Sequence, residues 1–146
     1  MKTIKILLVE DNEGDILLTT EALEEGGFPV EQRVVRDGKS ALDFLKKLKP
    51  YHRESRPDLV LLDINLPKYS GLEVLKIMKN DGDLKSIPVI ILTTSSSEED
   101  INESYMNYAN CFITKPVDLK NFNMAMKKVE DFWMNIAQLP IQKTER

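Results

Sequence analysis

Cysteine and histidine are almost missing from this chain: among 146 residues there is one of each, Cys111 and His52. A lone thiol excludes an internal disulfide, and one Cys with one His is too few for a structural zinc site. A charge surplus is also lacking. The chain carries 20 Lys+Arg against 24 Asp+Glu, a net −4, so no basic excess exists to drive binding to phosphate backbones. Long hydrophobic runs are absent too. The stretch after Met1–Lys5 meets Glu10 and Asp11 too soon for a signal peptide, and no segment is long enough to span a bilayer. These absences predict a reduced, cytoplasmic chain that engages neither nucleic acid nor membrane.

What is present is ordinary for a folded domain: 42% hydrophobic and 30% charged residues, with no repeats. Apolar runs alternate with amphipathic stretches. Ile4–Val9 reads as a strand, followed by a helix to about Glu25 that Gly26-Gly27 stops. Val30–Val35 is a more polar strand. A helix follows with Ala41, Leu42, Leu45 and Leu48 at helical spacing, expected to end at Lys49-Pro50. After a polar loop holding His52, the apolar run Leu59–Leu62 ends in Asp63. A turn with Pro67 and Gly71 opens a helix carrying Leu72, Leu75 and Met78 on one face. Pro88–Thr93 is the next strand, and Ser96-Ser97-Glu98-Glu99 opens a helix expected to carry Ile101, Tyr105 and Tyr108. Cys111–Thr114 is a short strand ending at Lys115-Pro116. Asp118 then caps a last helix with Leu119, Phe122, Met126, Val129, Phe132, Trp133 and Ile136 near one stripe.

Five strand-then-helix units predict a parallel sheet covered by helices on both faces. The first and third strands are the most apolar and should be central, and the polar second strand belongs at an edge. That is the flavodoxin-like (βα)5 three-layer sandwich with strand order 2-1-3-4-5, whose crevice lies beyond the carboxyl ends of the strands. The expected organisation is a single domain over residues 1–146, with a core of about 4–136, an extension and tail over 137–146, and no output domain.

Those carboxyl ends hold Glu10 and Asp11, then Asp63, then Thr93, then Lys115. Asp11, Asp63 and Lys115 are spaced 52 residues apart, two βα units each time. Right-handed crossovers bring these ends to one edge. Taken singly, each reads blandly: an acid pair capping a helix, a turn aspartate, a loop threonine, a surface lysine. Taken together they form a crevice of three carboxylates, which repel unless positive charge sits among them. Lys115 compensates one charge. A hard divalent cation held by few carboxylates and several waters, Mg²⁺ or also Mn²⁺, suits the rest.

The set Val9-Glu10-Asp11-Asn12, Leu62-Asp63-Ile64-Asn65-Leu66-Pro67, Ser70-Gly71, Leu92-Thr93-Thr94 and Thr114-Lys115-Pro116 resembles the receiver domain of two-component response regulators. The polar insertion around residues 49–57 and the Phe132-Trp133 to Leu139-Pro140 ending are similar to stand-alone regulators that partner phytochrome-type sensor kinases. The resemblance implies that Asp63 accepts a phosphoryl group from a sensor histidine kinase. It implies Mg²⁺ ligation by Glu10, Asp11, Asp63 and the backbone carbonyl of Asn65. Lys115 and Thr93 would contact the phosphoryl oxygens, and a cis Lys115–Pro116 peptide would aim the lysine inward. Thr93 and Phe112 would act as the switch, Phe112 by packing alone because it has no hydroxyl, and would reshape the face of the fourth helix, fifth strand and fifth helix. Asn65 and Ser95 occupy positions that tune phosphoryl lifetime. The implied partners are the kinase and a downstream protein target or phosphotransfer protein. Tyr105, Tyr108, Met124 and Phe132-Trp133 are candidates for that surface or for a homodimer through the C-terminal helices.

Three other readings compete. A phosphatase with an aspartyl nucleophile needs a second acid two residues after Asp63, where Asn65 stands. A flavin binder needs a phosphate-cradling loop where Glu10 and Asp11 would repel the phosphate. A pseudo-receiver acting as a passive scaffold would have no use for the complete acid, hydroxyl and lysine set.

Overall fold

The computed structural model describes residues 3–116 and 118–141; the last residues of the expected tail, 142–146, lie outside them. The strands are β1 (Ile4–Val9), β2 (Val30–Val35), β3 (Leu59–Leu62), β4 (Val89–Thr93) and β5 (Cys111–Thr114). Between and after them come α1 (Glu13–Glu25), α2 (Gly38–Leu45), α3 (Gly71–Lys79), α4 (Glu98–Met106) and α5 (Leu119–Glu130). A π-helical segment, Asp131–Ile136, continues α5. The sheet is five-stranded and parallel, in the order β2-β1-β3-β4-β5, as strand hydrophobicity predicts.

Alternation along the strands builds two cores, one on each face. Leu7, Val9, Val60, Leu62, Val89 and Ile91 pack with α2 and α3 through Leu42, Leu45, Leu75 and Met78. Ile6, Leu8, Leu59, Leu61, Ile90 and Leu92 pack with α1 and α5 through Leu23, Phe122 and Met126. β3 and β4 are buried along their whole length, whereas β2 is largely open to solvent. The difference is that of central strands, sealed on both faces, from an edge strand. Each of α1 to α5 opens on a side chain that accepts a backbone N–H: Asn12, Asp37, Ser70, Ser97 and Asp118. No helix among the described residues is long and apolar enough to cross a membrane.

Two helices stop earlier than their periodicity predicts. α2 ends at Leu45, and Leu48 is 51% exposed rather than packed. Lys47 turns left-handed at φ 59°, its N–H bonds the Phe44 carbonyl and the Leu48 N–H bonds that of Asp43. This is a Schellman ending, which satisfies the last carbonyls without further helix. α4 ends the same way at Tyr108 (φ 67°), with Ala109 N–H bonding the Ser104 carbonyl, so Tyr108 lies outside the helix and is exposed. In the polar loop, Arg56 Nε donates to the Leu45 carbonyl at 3.0 Å and Tyr51 packs its ring on Phe44. His52 is exposed there.

Candidate functional site

The crevice starts from how the strand ends are tied. The Glu10 N–H bonds the Val35 carbonyl, the Asp63 N–H bonds the Val9 carbonyl, and the Lys115 N–H bonds the Thr93 carbonyl at 2.7 Å. Each chemistry-bearing residue is thus held one step beyond its strand by the neighbouring strand. β3 is fully buried up to Leu62, so Asp63 leaves it as a buried carboxylate, 8% exposed. Its Oδ1 accepts the Asn65 N–H at 3.3 Å, which folds the loop back over it. Gly71 lets that loop close: its N–H bonds the Ile64 carbonyl at 2.8 Å, and a Cβ there would run into the Asp63 carbonyl.

Glu10 and Lys115 are buried beside Asp63, while Asp11 is exposed at the rim. Lys115 Nζ pairs with Glu10 Oε1, lies 2.9 Å from Asp15 Oδ2 and stands 3.6 Å from Asp63 Oδ2. Carboxylate oxygens of Glu10, Asp11 and Asp63 all lie within 4.8 Å of one another. Burial, with the facing Asp63, pushes the Glu10 carboxyl up to about 7 against the pull of Lys115. Burial alone would lower the Lys115 pKa, but hydrogen bonds to Glu10 and Asp15 and the charge of Asp63 override it and raise it. The ammonium therefore stays charged, and the floor carries more negative charge than one lysine balances. A cluster of hard oxygen ligands with unbalanced charge fits a small divalent cation.

Thr93 ends β4 and is completely buried; its Oγ1 accepts the Ser95 N–H at 3.4 Å. Ser95 Oγ in turn donates to Asp100 Oδ2 at 2.6 Å. Phe112 pairs in register with Ile91, so Thr93, two residues further along β4, shares its face of the sheet. The Phe112 N–H donates to the hydroxyl of Tyr105 on α4 at 3.1 Å. A hydroxyl thus does reach this strand, though from another element. Asn65 is exposed at the lip.

Glu10, Asp11, Asp63, Thr93 and Lys115 accordingly meet at one sheet edge, as their places at the strand ends predict, and Asn65 lies two residues beyond Asp63. Two points differ. Among the described residues the cis peptide is Lys49–Pro50, and Lys115–Pro116 is not cis; Lys115 reaches the floor because its backbone is bonded to Thr93 and its ammonium to two acids. Asp15, the second helical acid of α1, joins the site although nothing in the sequence singled it out. The local signal around it, an acid in the first turn of a helix, is a common helix-dipole feature.

Comparison with known proteins agrees with this geometry. The family model of the response regulator receiver domain matches residues 6–127. Response regulator Rcp1 of Synechocystis sp. is 43% identical over 135 residues, 92% of each chain. Among solved structures, the phosphorylated cyanobacterial phytochrome response regulator RcpA is similar with a TM-score of 0.93 and 47% identity, covering 96% of this chain and 100% of that one. The Mn²⁺-bound form of Rcp1 gives 0.91 and 42%, covering 94% and 99%. The chain belongs to the response regulator receiver domain family, and it is a receiver-domain response regulator of two-component signalling.

Proposed function

We propose that the chain accepts a phosphoryl group on Asp63 from the phosphohistidine of a sensor histidine kinase, in a Mg²⁺-dependent reaction, and signals through the face of α4, β5 and α5. The observation that supports this is the convergence of Glu10, Asp63 and Lys115 on one buried floor with Asp11 at its rim. An Asp63 oxygen attacks phosphorus as the P–N bond breaks, and the bonding pair leaves with the imidazole. Glu10, Asp11, Asp63 and the Asn65 carbonyl would hold the cation, which supplies neutralising charge to the transferring oxygens. Mn²⁺ suits the same oxygens, and the Mn²⁺-bound relative supports that choice. Lys115 pairs with one phosphoryl oxygen and the Thr93 hydroxyl donates to another. The chain takes part as acceptor and slowly dephosphorylates itself, rather than turning over an external substrate.

Movement of Thr93 toward the phosphoryl group would open space for the Phe112 ring on the same face of the sheet, a two-state element biased by local charge. Asn65 at the lip of the crevice and Ser95, whose N–H bonds the Thr93 hydroxyl, control access of water to the acyl phosphate and so its lifetime. The exposed Tyr105, Tyr108, Met124 and Phe132 give the output face apolar surface for a downstream protein target, a phosphotransfer protein or a second copy. The likeness to RcpA, a cyanobacterial phytochrome response regulator, supports a phytochrome-type kinase as donor, in the cytoplasm.

Incubation with Mg²⁺ and acetyl phosphate tests the reading by intact-mass measurement. Wild type should gain one phosphoryl group and Asp63→Asn none. Absence of gain in wild type, or equal gain in both, rejects it.

A further inference from the structure

The ammonium of Lys115 is shared unequally. It is buried, with a side chain 4% exposed, and its three N–H groups face three acids. Glu10 and Asp15 lie within hydrogen-bond distance, Asp15 at 2.9 Å, but Asp63 at 3.6 Å does not. Asp15 differs in position from the other two. It stands in the first turn of α1, 28% exposed at the crevice mouth, where its N–H is tied to the Asn12 cap. It lies outside the Glu10, Asp11 and Asp63 cluster whose oxygens converge. Lys115 is therefore held between Glu10 on the floor and Asp15 at the mouth rather than by the acceptor.

Resting on the reading of Asp63 as phosphoacceptor, we infer that Asp15 is a positioning residue that parks Lys115 and sets how the crevice divides its affinity between cation and phosphoryl group. The two effects have opposite sign. A cation among Glu10, Asp11 and Asp63 repels the buried ammonium, and Asp15 keeps that ammonium paired without competing for the cation. Asp15 thereby favours the cation. A phosphoryl group on Asp63 has to draw Lys115 off Asp15, and it adds negative charge near the Asp15 carboxylate. Asp15 thereby opposes the phosphoryl group. A residue serving only to stabilise α1 would shift neither affinity.

The test uses the full chain, with Mg²⁺ titrated by calorimetry and beryllofluoride, a stable phosphoryl mimic, titrated at saturating Mg²⁺. Asp15→Asn should weaken Mg²⁺ about fivefold and tighten beryllofluoride about fivefold, the size expected for one charge-assisted contact. Glu13→Gln removes the same charge from the same helix turn, at a residue paired with Arg36 and not with Lys115; it should stay within about twofold for both ligands. Asp15→Glu should restore both affinities. In a Lys115→Met background, Asp15→Asn should lose most of its effect on beryllofluoride. Affinities that move in the same direction, or match those of Glu13→Gln, overturn the role of Asp15 while leaving the phosphoacceptor reading intact. Wild type that binds neither ligand defeats that reading and this inference together.

Discussion

Gly71 faces the backbone carbonyl of Asp63 so closely that a Cβ on Gly71 would fall within 2.8 Å of the Asp63 carbonyl carbon and nearer still to its oxygen. The start of α3 and the end of β3 are thus in backbone contact directly beneath the acceptor carboxylate.

Gly71→Ala should consequently do two things. It should cost about 2–3 kcal/mol, since backbone has to shift to admit the methyl group. It should also slow acetyl-phosphate labelling by at least about tenfold, because displacement of the acceptor spoils alignment. Gly82, where a Cβ meets nothing within 4 Å, is the control. Gly82→Ala should stay within about 0.5 kcal/mol of wild type. Urea denaturation and labelling rates compare the pair, and equal behaviour would contradict the steric account.

Cation binding should appear as stability. Mg²⁺ at ten times its dissociation constant adds about 1.4 kcal/mol to a folded state that alone binds it, raising Tm by about 3–6 °C for a chain of this size. EDTA should reverse the gain. Asp11→Asn should melt near wild type without Mg²⁺, because Asp11 is exposed, yet lose most of the Mg²⁺-induced rise. A full rise in that variant would remove Asp11 from the ligand set.

Glu130, at the end of α5, gives a pH dependence of calculable sign. It is 1% exposed, neither carboxyl oxygen has a hydrogen-bond partner among the described residues, and it packs against Gly26. Burial, with Asp131 adding repulsion, pushes its carboxyl from 4.5 to about 7. Between those values the folded state keeps a proton that the unfolded chain has released, so stability falls as pH rises through this window. Glu130→Gln removes the penalty. The variant should exceed wild type by roughly 3 kcal/mol at pH 8 and come close to it near pH 4.5. Denaturant melts at both pH values check this; a difference independent of pH would count against it.

Tyr105 links α4 to β5 through one hydrogen bond, from the Phe112 N–H to its hydroxyl. Tyr105→Phe should cost about 1 kcal/mol and speed amide exchange at Phe112 well beyond that at Cys111. Unchanged exchange would mean that the hydroxyl is not holding this strand.

How much of this was legible beforehand varies by residue. Strand order follows from the apolar runs of β1 and β3 against the polarity of β2, and the helix starts follow from Ser97 and Asp118 with their side-chain caps. Helix ends were less readable. Leu48 and Tyr108 continue the apolar spacing, but a left-handed residue at Lys47 or at Tyr108 itself stops the helix first, and neither residue type announces that conformation. The Asp15–Lys115 pair spans 100 residues of sequence, and no local pattern records it. Glu130 looks like any surface acid at the end of an amphipathic helix until Gly26 is placed against it.

The amino-acid sequence by itself determined the layered fold and which residue types meet at the edge of the sheet, because period and polarity act locally and the crossover rule carries them to one side. The tertiary structure alone decided how charge is shared there: that Lys115 sits nearer Asp15 than Asp63, and that Glu130 is sealed without a hydrogen-bond partner among the described residues. Electrostatic strength depends on distance and burial, and those quantities exist only once remote segments have packed together.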